Sequence, residues 1–255
     1  MAFYGFCNIA LIPLRKQASH RSEMVSQLLF GEAYEIMEYE NDWLLIRTHF
    51  DQYEGYIDRN QLSLIREEEY IRYYQKQNTI VSQENTSLFD KRRNFSFQIP
   101  PGASLPLSDN QRISMGAEWF EITQLPPAKS MEEHLHSFIN TPYLWGGRSP
   151  LGIDCSGFNQ IIFKMSGIRL QRDASQQAKQ GIDIDNLEQV RCGDLAFFQN
   201  NNGFITHTGI LLNKQSIIHA SGKVRIDKID KKGIFNLEKE EYSHKLHSIK
   251  RVLSK

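Results

Sequence analysis

The chain has 255 residues, with 30 Lys and Arg balanced by 30 Asp and Glu, so its formal charge is zero. Its 40% hydrophobic content, with 15 Phe, 10 Tyr and 3 Trp, is enough for packed cores and excludes an intrinsically disordered chain. No run approaches the roughly 20 apolar residues of a membrane helix, and a neutral balance argues against nucleic-acid binding, which normally shows as a basic excess on one domain. The length suggests roughly two domains. The zero is a cancellation, because residues 1–64 carry 5 basic and 9 acidic side chains (−4), residues 65–126 carry 7 and 8 (−1), and residues 127–255 carry 18 and 13 (+5).

Along the chain, the apolar N-terminus from Met1 to Pro13 has its only positive charges, Arg15 and Lys16, after the apolar run. That is the wrong order for a signal peptide, and too few residues precede Cys7 for lipoprotein processing. The three cysteines, Cys7, Cys155 and Cys192, show no C-x-x-C spacing. Such an odd, sparse set is no disulfide framework and fits a reducing compartment. A cytoplasmic location is therefore expected, although a chain whose leader had been removed would read the same way.

Ala33 to Tyr39 alternates as a strand, and Tyr53 to Asp58 reads as a turn and a strand. Glu40 to Arg47 and Met115 to Thr123 echo one another, each an acidic turn, a Trp (Trp43, Trp119) and alternating apolar residues. The echo fits two small β modules of similar plan, and it also fits two strands of one sheet. Arg66 to Gln77 is charged and tyrosine-rich and predicts a short helix. Ile99-Pro-Pro-Gly102 is a turn, and Leu125-Pro-Pro-Ala128 reads as a linker. Past it, Ser130-Met-Glu-Glu opens a helix with a capping-box pattern, followed by Leu135, Phe138 and Ile139 at helical spacing.

The run from Thr141 to Phe158 is rich in glycine (Gly146, Gly147, Gly152) and leads into Phe158, Ile161, Ile162 and Met165, spaced i, i+3, i+4, i+7. That spacing is the apolar stripe of a helix, with Gly167 as its stop. Cys155 then falls at the first helical turn, where orphan N–H groups and the helix dipole favour a thiolate and can bind an oxyanion. A cysteine nucleophile needs a base. Phe204 to Leu212 alternates as a strand with His207, Gly209 and Leu211 on one face, and Ser216 to Ala220 returns after a turn at Asn213–Gln215. A three-residue loop places His219 opposite Gly209, diagonal to His207, whereas a two-residue loop shifts the register by one. In that arrangement His207 deprotonates Cys155, His219 orients the His207 ring, and Gly209 leaves room for substrate. The same residues also fit a packing cysteine and core histidines, and a zinc site is a third reading, though the spacing matches no usual zinc pattern. Cys192 reads as structural, and His20, His49, His134, His136, His244 and His247 lack a comparable context.

Six motifs occur in order: Tyr-Leu-Trp-Gly-Gly (143–147), Asp-Cys-Ser-Gly-Phe (154–158), Arg-Asp-Ala-Ser-Gln-Gln (172–177), Cys-Gly-Asp-Leu-Ala-Phe-Phe (192–198), His-Thr-Gly-Ile (207–210) and Ile-His-Ala-Ser (218–221). Together they resemble the NlpC-type family of papain-like cell-wall cysteine peptidases over about residues 127–255. The resemblance implies an α+β fold in which the helix carrying Cys155 packs on an antiparallel sheet. It implies Cys155 as nucleophile, His207 as base, His219 as third polar residue and Tyr143 near the reacting carbonyl, without metal or cofactor. The N-terminal half resembles bacterial SH3-like (SH3b) β-barrel modules, here residues 1–64 and 65–126, ahead of a peptidase domain at 127–255.

The nearer likeness is to the YkfC-like branch of γ-D-glutamyl-L-diamino acid endopeptidases (dipeptidyl-peptidase VI). It rests also on Ser22 to Glu32 and Glu54 to Ile57. It implies a murein tri- or tetrapeptide substrate with a free N-terminal L-Ala, from which L-Ala-γ-D-Glu is released during cytoplasmic recycling. By that likeness Glu23 and Tyr56 face the amine, Asp173 is its carboxylate partner, and Trp145 and Ser175 lie nearby. Ala174 departs from the serine usual there, which leaves the contacts to the D-Glu carboxylate open. A secreted hydrolase acting on intact wall and a catalytically silent binding module are the rival readings.

Overall fold

Alternating apolar and polar residues in the first part of the chain fold as β-strands that bury one face each. The computed structural model describes residues 3–75, 79–109, 111–123 and 127–252. The chain divides into two units, Met1–Lys129 and Ser130–Lys255.

The first unit begins with β1 (Phe3–Phe6), β2 (Leu11–Arg15), β3 (Met24–Leu29), β4 (Ala33–Glu40), β5 (Trp43–Thr48), β6 (Glu54–Asp58) and β7 (Leu64–Ile65). They pair antiparallel in the order β3-β2-β6-β5-β4-β1-β7. Ile12, Leu14, Leu28, Tyr34, Leu44, Ile46 and Ile57 form the core of this sheet. Next come α1 (Glu67–Tyr70), a π-helical turn (Ile71–Gln75), β8 (Ile80–Val81), β9 (Thr86–Asp90), β10 (Phe95–Ile99), β11 (Ser104–Leu105), β12 (Arg112–Met115) and β13 (Glu118–Ile122). The second sheet runs β10-β9-β13-β12, and β11 pairs β8.

The helix predicted over 66–77 is, in its described residues up to Gln75, an α-turn that widens into a π-turn and buries Tyr70, Tyr73 and Tyr74; residues 76 and 77 lie outside the described residues. Tyr70 stacks on Tyr4 with ring centroids 4.0 Å apart, and the Tyr74 hydroxyl donates to the Gly31 carbonyl. Trp43 and Trp119 open or occupy strands of separate sheets. Those sheets share a core in which Phe6, Phe30, Ala33 and Ile65 join Leu88, Ile99, Ile113 and Phe120. The linker read at Leu125–Ala128 lies largely outside the described residues.

The second unit contains α2 (Met131–Ser137), β14 (Arg148–Ser149), β15 (Gly152–Ile153), α3 (Cys155–Met165), α4 (Ala174–Gln177) and β16 (Ile182–Asp183). These are followed by β17 (Leu195–Gln199), β18 (Ile205–Asn213), β19 (Ser216–Ser221), β20 (Lys223–Ile229), β21 (Gly233–Asn236) and β22 (Glu241–Arg251). Its antiparallel sheet runs β16-β22-β17-β18-β19-β20-β21, and a further β21–β22 pairing closes six of the strands into a ring. Ala196, Phe198, Leu211, Ile217, Ile234 and Ile249 belong to one core of this sheet.

The capping box read at Ser130 is present: the Ser130 hydroxyl accepts from the Glu133 N–H while the Glu133 carboxylate accepts from the Ser130 N–H. Helix α3 ends in a Schellman arrangement, with Gly167 at φ +79° and the Ile168 N–H on the Phe163 carbonyl. The expected apolar stripe understates its burial, since all eleven residues are buried, Asn159, Gln160 and Lys164 included. Asn159 Nδ2 donates to Thr208 Oγ1 (2.9 Å) and Gln177 Oε1 (3.2 Å), and Gln160 Nε2 donates to the Leu170 carbonyl (3.1 Å). These donated hydrogen bonds offset part of the amides' desolvation, and the Asn159–Thr208 bond ties α3 to β18.

Candidate active site

Cys155 is the first residue of α3, and Asp154 is its N-cap. Asp154 Oδ1 accepts from the Gly157 N–H (2.7 Å), and Oδ2 accepts from the Gly146 N–H (2.8 Å). Both oxygens also accept from Arg172, whose side chain is buried and whose Nη1 donates to Ser156 Oγ at 2.9 Å. One carboxylate thus caps the helix, holds the glycine loop before it and anchors a buried guanidinium. Helix caps, a loop and an ion pair converge on the residue preceding the thiol.

The histidines come from β18 and β19. Ile210 pairs Ile218 and Leu211 pairs Ile217, and one further step along the ladder puts Gly209 beside His219, the register expected from the alternation. The loop is not the expected three residues, however. It is a two-residue turn at Lys214–Gln215, and a bulge that skips Leu212 restores the register. His207 Nε2 meets His219 Nδ1 at 2.8 Å, and His219 Nε2 meets Asp227 Oδ2 at 3.1 Å. With Nε2 committed, Nδ1 is the ring nitrogen of His207 left for a proton from the thiol. The expectation that Gly209 leaves room for substrate is corrected: a Cβ there would lie 2.7 Å from His219 Cβ and 2.9 Å from the Ile218 carbonyl. The space belongs to His219.

Electrostatics also depart from expectation. The helix N-terminus suggested a lowered thiol, but burial and the adjacent Asp154 carboxylate push Cys155 up to about 12. The backbone N–H groups of Thr208 and Ser156 and the Arg172 charge oppose that rise without cancelling it. Burial, then His219 and His244, drive His207 well below the usual imidazole range. Both directions favour a neutral thiol and a neutral imidazole, because a desolvated charge loses solvation that the helix dipole only partly returns. Alkylation of Cys155 by iodoacetamide is accordingly expected to rise steadily with pH beyond about 8, as for an unactivated thiol. A plateau established by pH 6 would show a resting thiolate instead.

Tyr143 is half-buried, and its phenol is held above its usual range by burial and by the Cys155 and Asp154 charges. Trp145, 59% exposed, precedes Gly146 in the loop that Asp154 holds. Asp173 follows Arg172 and caps α4 in a capping box with Gln176, and Ser175 lies exposed in that helix. In the N-terminal unit Glu23 directly precedes β3 and pairs with Lys16 at 3.2 Å, and Tyr56 lies on β6, hydrogen-bonded to Glu40. Among the described residues no group of three or more His, Cys, Asp or Glu has the geometry of a metal site.

Three residues escaped the sequence reading. Asp227 on β20 is diagonal to His219, since His219 pairs Arg225 and Ile217 pairs Asp227. Burial pushes its carboxyl up, but hydrogen bonds from His219, Arg225 and the Leu237 N–H outweigh that and hold it down at about 2. His244 on β22 stacks on His207, with ring centroids 4.0 Å apart and an interplanar angle of 25°. Burial and His219 lower His244 to about 4, with Asp227 opposing. Arg172 is the third. A turn at Gly222 followed by Arg225-Ile-Asp227 was the available signal for Asp227, and for His244 there was none locally.

A helix-borne thiol set against two strand-borne histidines on a closed antiparallel sheet defines a papain-like thiol peptidase. Residues 140–239 match the NlpC/P60 family, and residues 14–62 match the bacterial dipeptidyl-peptidase Sh3 domain. The chain therefore carries an NlpC/P60 cysteine-peptidase domain behind a bacterial dipeptidyl-peptidase SH3 domain. It is 27% identical over 243 residues to dipeptidyl-peptidase 6 of Lysinibacillus sphaericus, covering 82% of this chain and 85% of that one. It is 24% identical over 234 residues to the gamma-D-glutamyl-L-lysine dipeptidyl-peptidase of Bacillus cereus, covering 79% and 68%. The crystal structure of an NlpC/P60 family protein from Bacillus cereus superposes with a TM-score of 0.80 at 19% identity, covering 98% of this chain and all of the other, which shows the common fold.

Proposed function

We propose that the protein hydrolyses the γ-D-glutamyl–L-diamino acid bond of peptidoglycan stem peptides with a free N-terminal L-Ala, releasing L-Ala-γ-D-Glu. The Cys155–His207–His219 array at the start of buried α3 carries this reading. The names of relatives that span most of the chain support the choice of bond. The Cys155 thiol passes its proton to His207 Nδ1 as the sulfur attacks the γ-carbonyl carbon. N–H groups at the start of α3 and the Tyr143 hydroxyl receive the developing oxyanion. The C–N bond breaks as His207 returns the proton to the departing amine, leaving a thioester. Water then gives a proton to His207, adds to the thioester carbon and releases the dipeptide and the thiol.

Glu23 and Tyr56 are proposed to face the free amine, with Asp173 as its carboxylate partner and Trp145 and Ser175 nearby, on the resemblance. The three unpaired cysteines support a cytoplasmic reaction on recycled wall peptides. The test is mass spectrometry of products from L-Ala-γ-D-Glu-L-Lys and its N-acetyl form. The free peptide should yield L-Ala-γ-D-Glu, and acetylation should reduce kcat/KM by about 10²-fold or more, because a capped amine carries no charge for the facing carboxylates to bind. Equal cleavage of both forms overturns the amine requirement, and absence of the dipeptide product overturns the bond assignment.

A further inference from the structure

We propose that Asp227 is a positioning residue of the thiol–imidazole site: acting through His219, it dictates which nitrogen of His207 is bare and so presents a base to Cys155. The proposal rests on reading the site as a thiol peptidase. Asp227 is buried and is an acceptor when ionised. Arg225 grips both its oxygens, Nε on Oδ2 at 2.8 Å and Nη2 on Oδ1 at 3.0 Å, and the Leu237 N–H donates to Oδ1 at 3.1 Å. The remaining neighbour of Oδ2 is His219 Nε2, which must therefore be a donor. In a neutral ring the proton on Nε2 makes Nδ1 the acceptor. His219 Nδ1 then accepts from His207 Nε2–H, and the bare nitrogen of His207 is Nδ1. One carboxylate thus orders two rings in series.

Asp227 has charged and titratable neighbours besides His219. Arg225 already balances the carboxylate, and its outer Nη1 is held by Glu238 at 2.8 Å. The other titratable group facing it is His244 on β22, whose ring lies 5.8 Å from that of His219 and is uncharged at neutral pH. With the His219 ring neutral, Asp227 acts on it as a hydrogen-bond acceptor.

Asp227→Asn separates this role from packing. With its oxygen at the Oδ1 position the amide keeps the Arg225 Nη2 and Leu237 N–H donors and gives up the Arg225 Nε bond. Its NH₂ then faces His219 Nε2, which becomes an acceptor, and the proton moves to His219 Nδ1. His207 Nε2 becomes the acceptor, and its proton shifts to Nδ1, the nitrogen that must be bare. The same kind of tautomer reversal costs about 10⁴-fold in a serine-protease triad.

The experiment pairs kinetics with long-range ¹H–¹⁵N correlation spectra of the histidine rings in the full chain. In the wild-type protein His207 should carry its proton on Nε2, and in Asp227→Asn on Nδ1. The variant's kcat should fall by about 10²- to 10³-fold with KM within about threefold. A proton on Nδ1 of wild-type His207 overturns the proposal, as does an Asp227→Asn variant with kcat within threefold of wild type. A variant that loses kcat while its His207 tautomer stays unchanged shows a merely structural role and overturns it too. Should the variant fail to fold, the wild-type spectrum alone decides. The ring spectra need no substrate, so a wild-type protein that cleaves no stem peptide refutes the proposed function and leaves this test standing.

Discussion

Cys155→Ala is expected to lose at least about 10⁴-fold in kcat on the stem tripeptide, because the other groups cannot replace a covalent intermediate. Oxyanion donors and binding survive the substitution, which is why a residual rate over water is expected and not zero. The fold should persist. Cys155 is a small buried side chain, and its removal opens a space of about one sulfur atom, a cost on the order of 1 kcal/mol. Cys155→Ser sharpens the point. A serine hydroxyl keeps the size and polarity, yet its proton is much harder to remove than that of a thiol, so it too should lose about 10³-fold or more. Dissociation constants for the uncleaved peptide should stay within about threefold in both variants, because the sulfur serves bond-making in the transition state. Retained turnover in Cys155→Ala would leave α3 as a packing helix and assign the hydrolysis to another group.

How much of this could be read beforehand depended on how local the signal was. Caps were readable because they are written within a few residues: Ser130 with Glu133, and Gly167 after Met165, appear where the pattern puts them. The facing of His207 and His219 followed from two-residue alternation, although the bulge at Leu212 had to compensate for a shorter turn. Tertiary effects were invisible. Asp227 reads in sequence as one charge in a basic strand, and only the β19–β20 register brings it to His219. His244 reaches His207 through the pairing of β22 with β17. The thiol shows the same limit. A helix N-terminus lowers a cysteine pKa where the thiolate is well solvated, but here burial and Asp154 prevail over the dipole and Arg172. In the N-terminal unit, similar Trp-containing segments pointed to separate modules, whereas Phe6, Phe30, Ala33 and Ile65 join a core with the second sheet. A shared core of this kind has no signature in either segment alone.

Arg172→Met is the substitution expected to cost the most stability. Arg172 is 1% exposed and bonds Asp154 through two nitrogens, with Ser156 as an additional acceptor. Methionine fills much of the same volume, so loss of packing is small and the change is chiefly electrostatic. What remains is a buried carboxylate still tied to the Gly157 and Gly146 N–H groups but without its cation. Breaking a buried pair from one side costs about 3–5 kcal/mol, and for a unit of this size that lowers the melting temperature by roughly 10 °C or more. A second consequence is chemical. Arg172 works against the rise in the Cys155 thiol, and Asp154 works with it. With the guanidinium gone only the Thr208 and Ser156 N–H groups oppose the carboxylate, so the thiol should rise further and iodoacetamide labelling of Cys155 should slow at every pH below its ionisation. Neutralising both partners separates the two effects. In Asp154→Asn/Arg172→Met the amide oxygen can still cap α3, no buried charge is left alone, and part of the lost stability should return. Denaturant melts of the wild type, the single variant and the double variant check this. Recovery in the double variant assigns the cost to the stranded carboxylate, whereas a double variant no more stable than Arg172→Met assigns it to the hydrogen bonds that Arg172 itself makes.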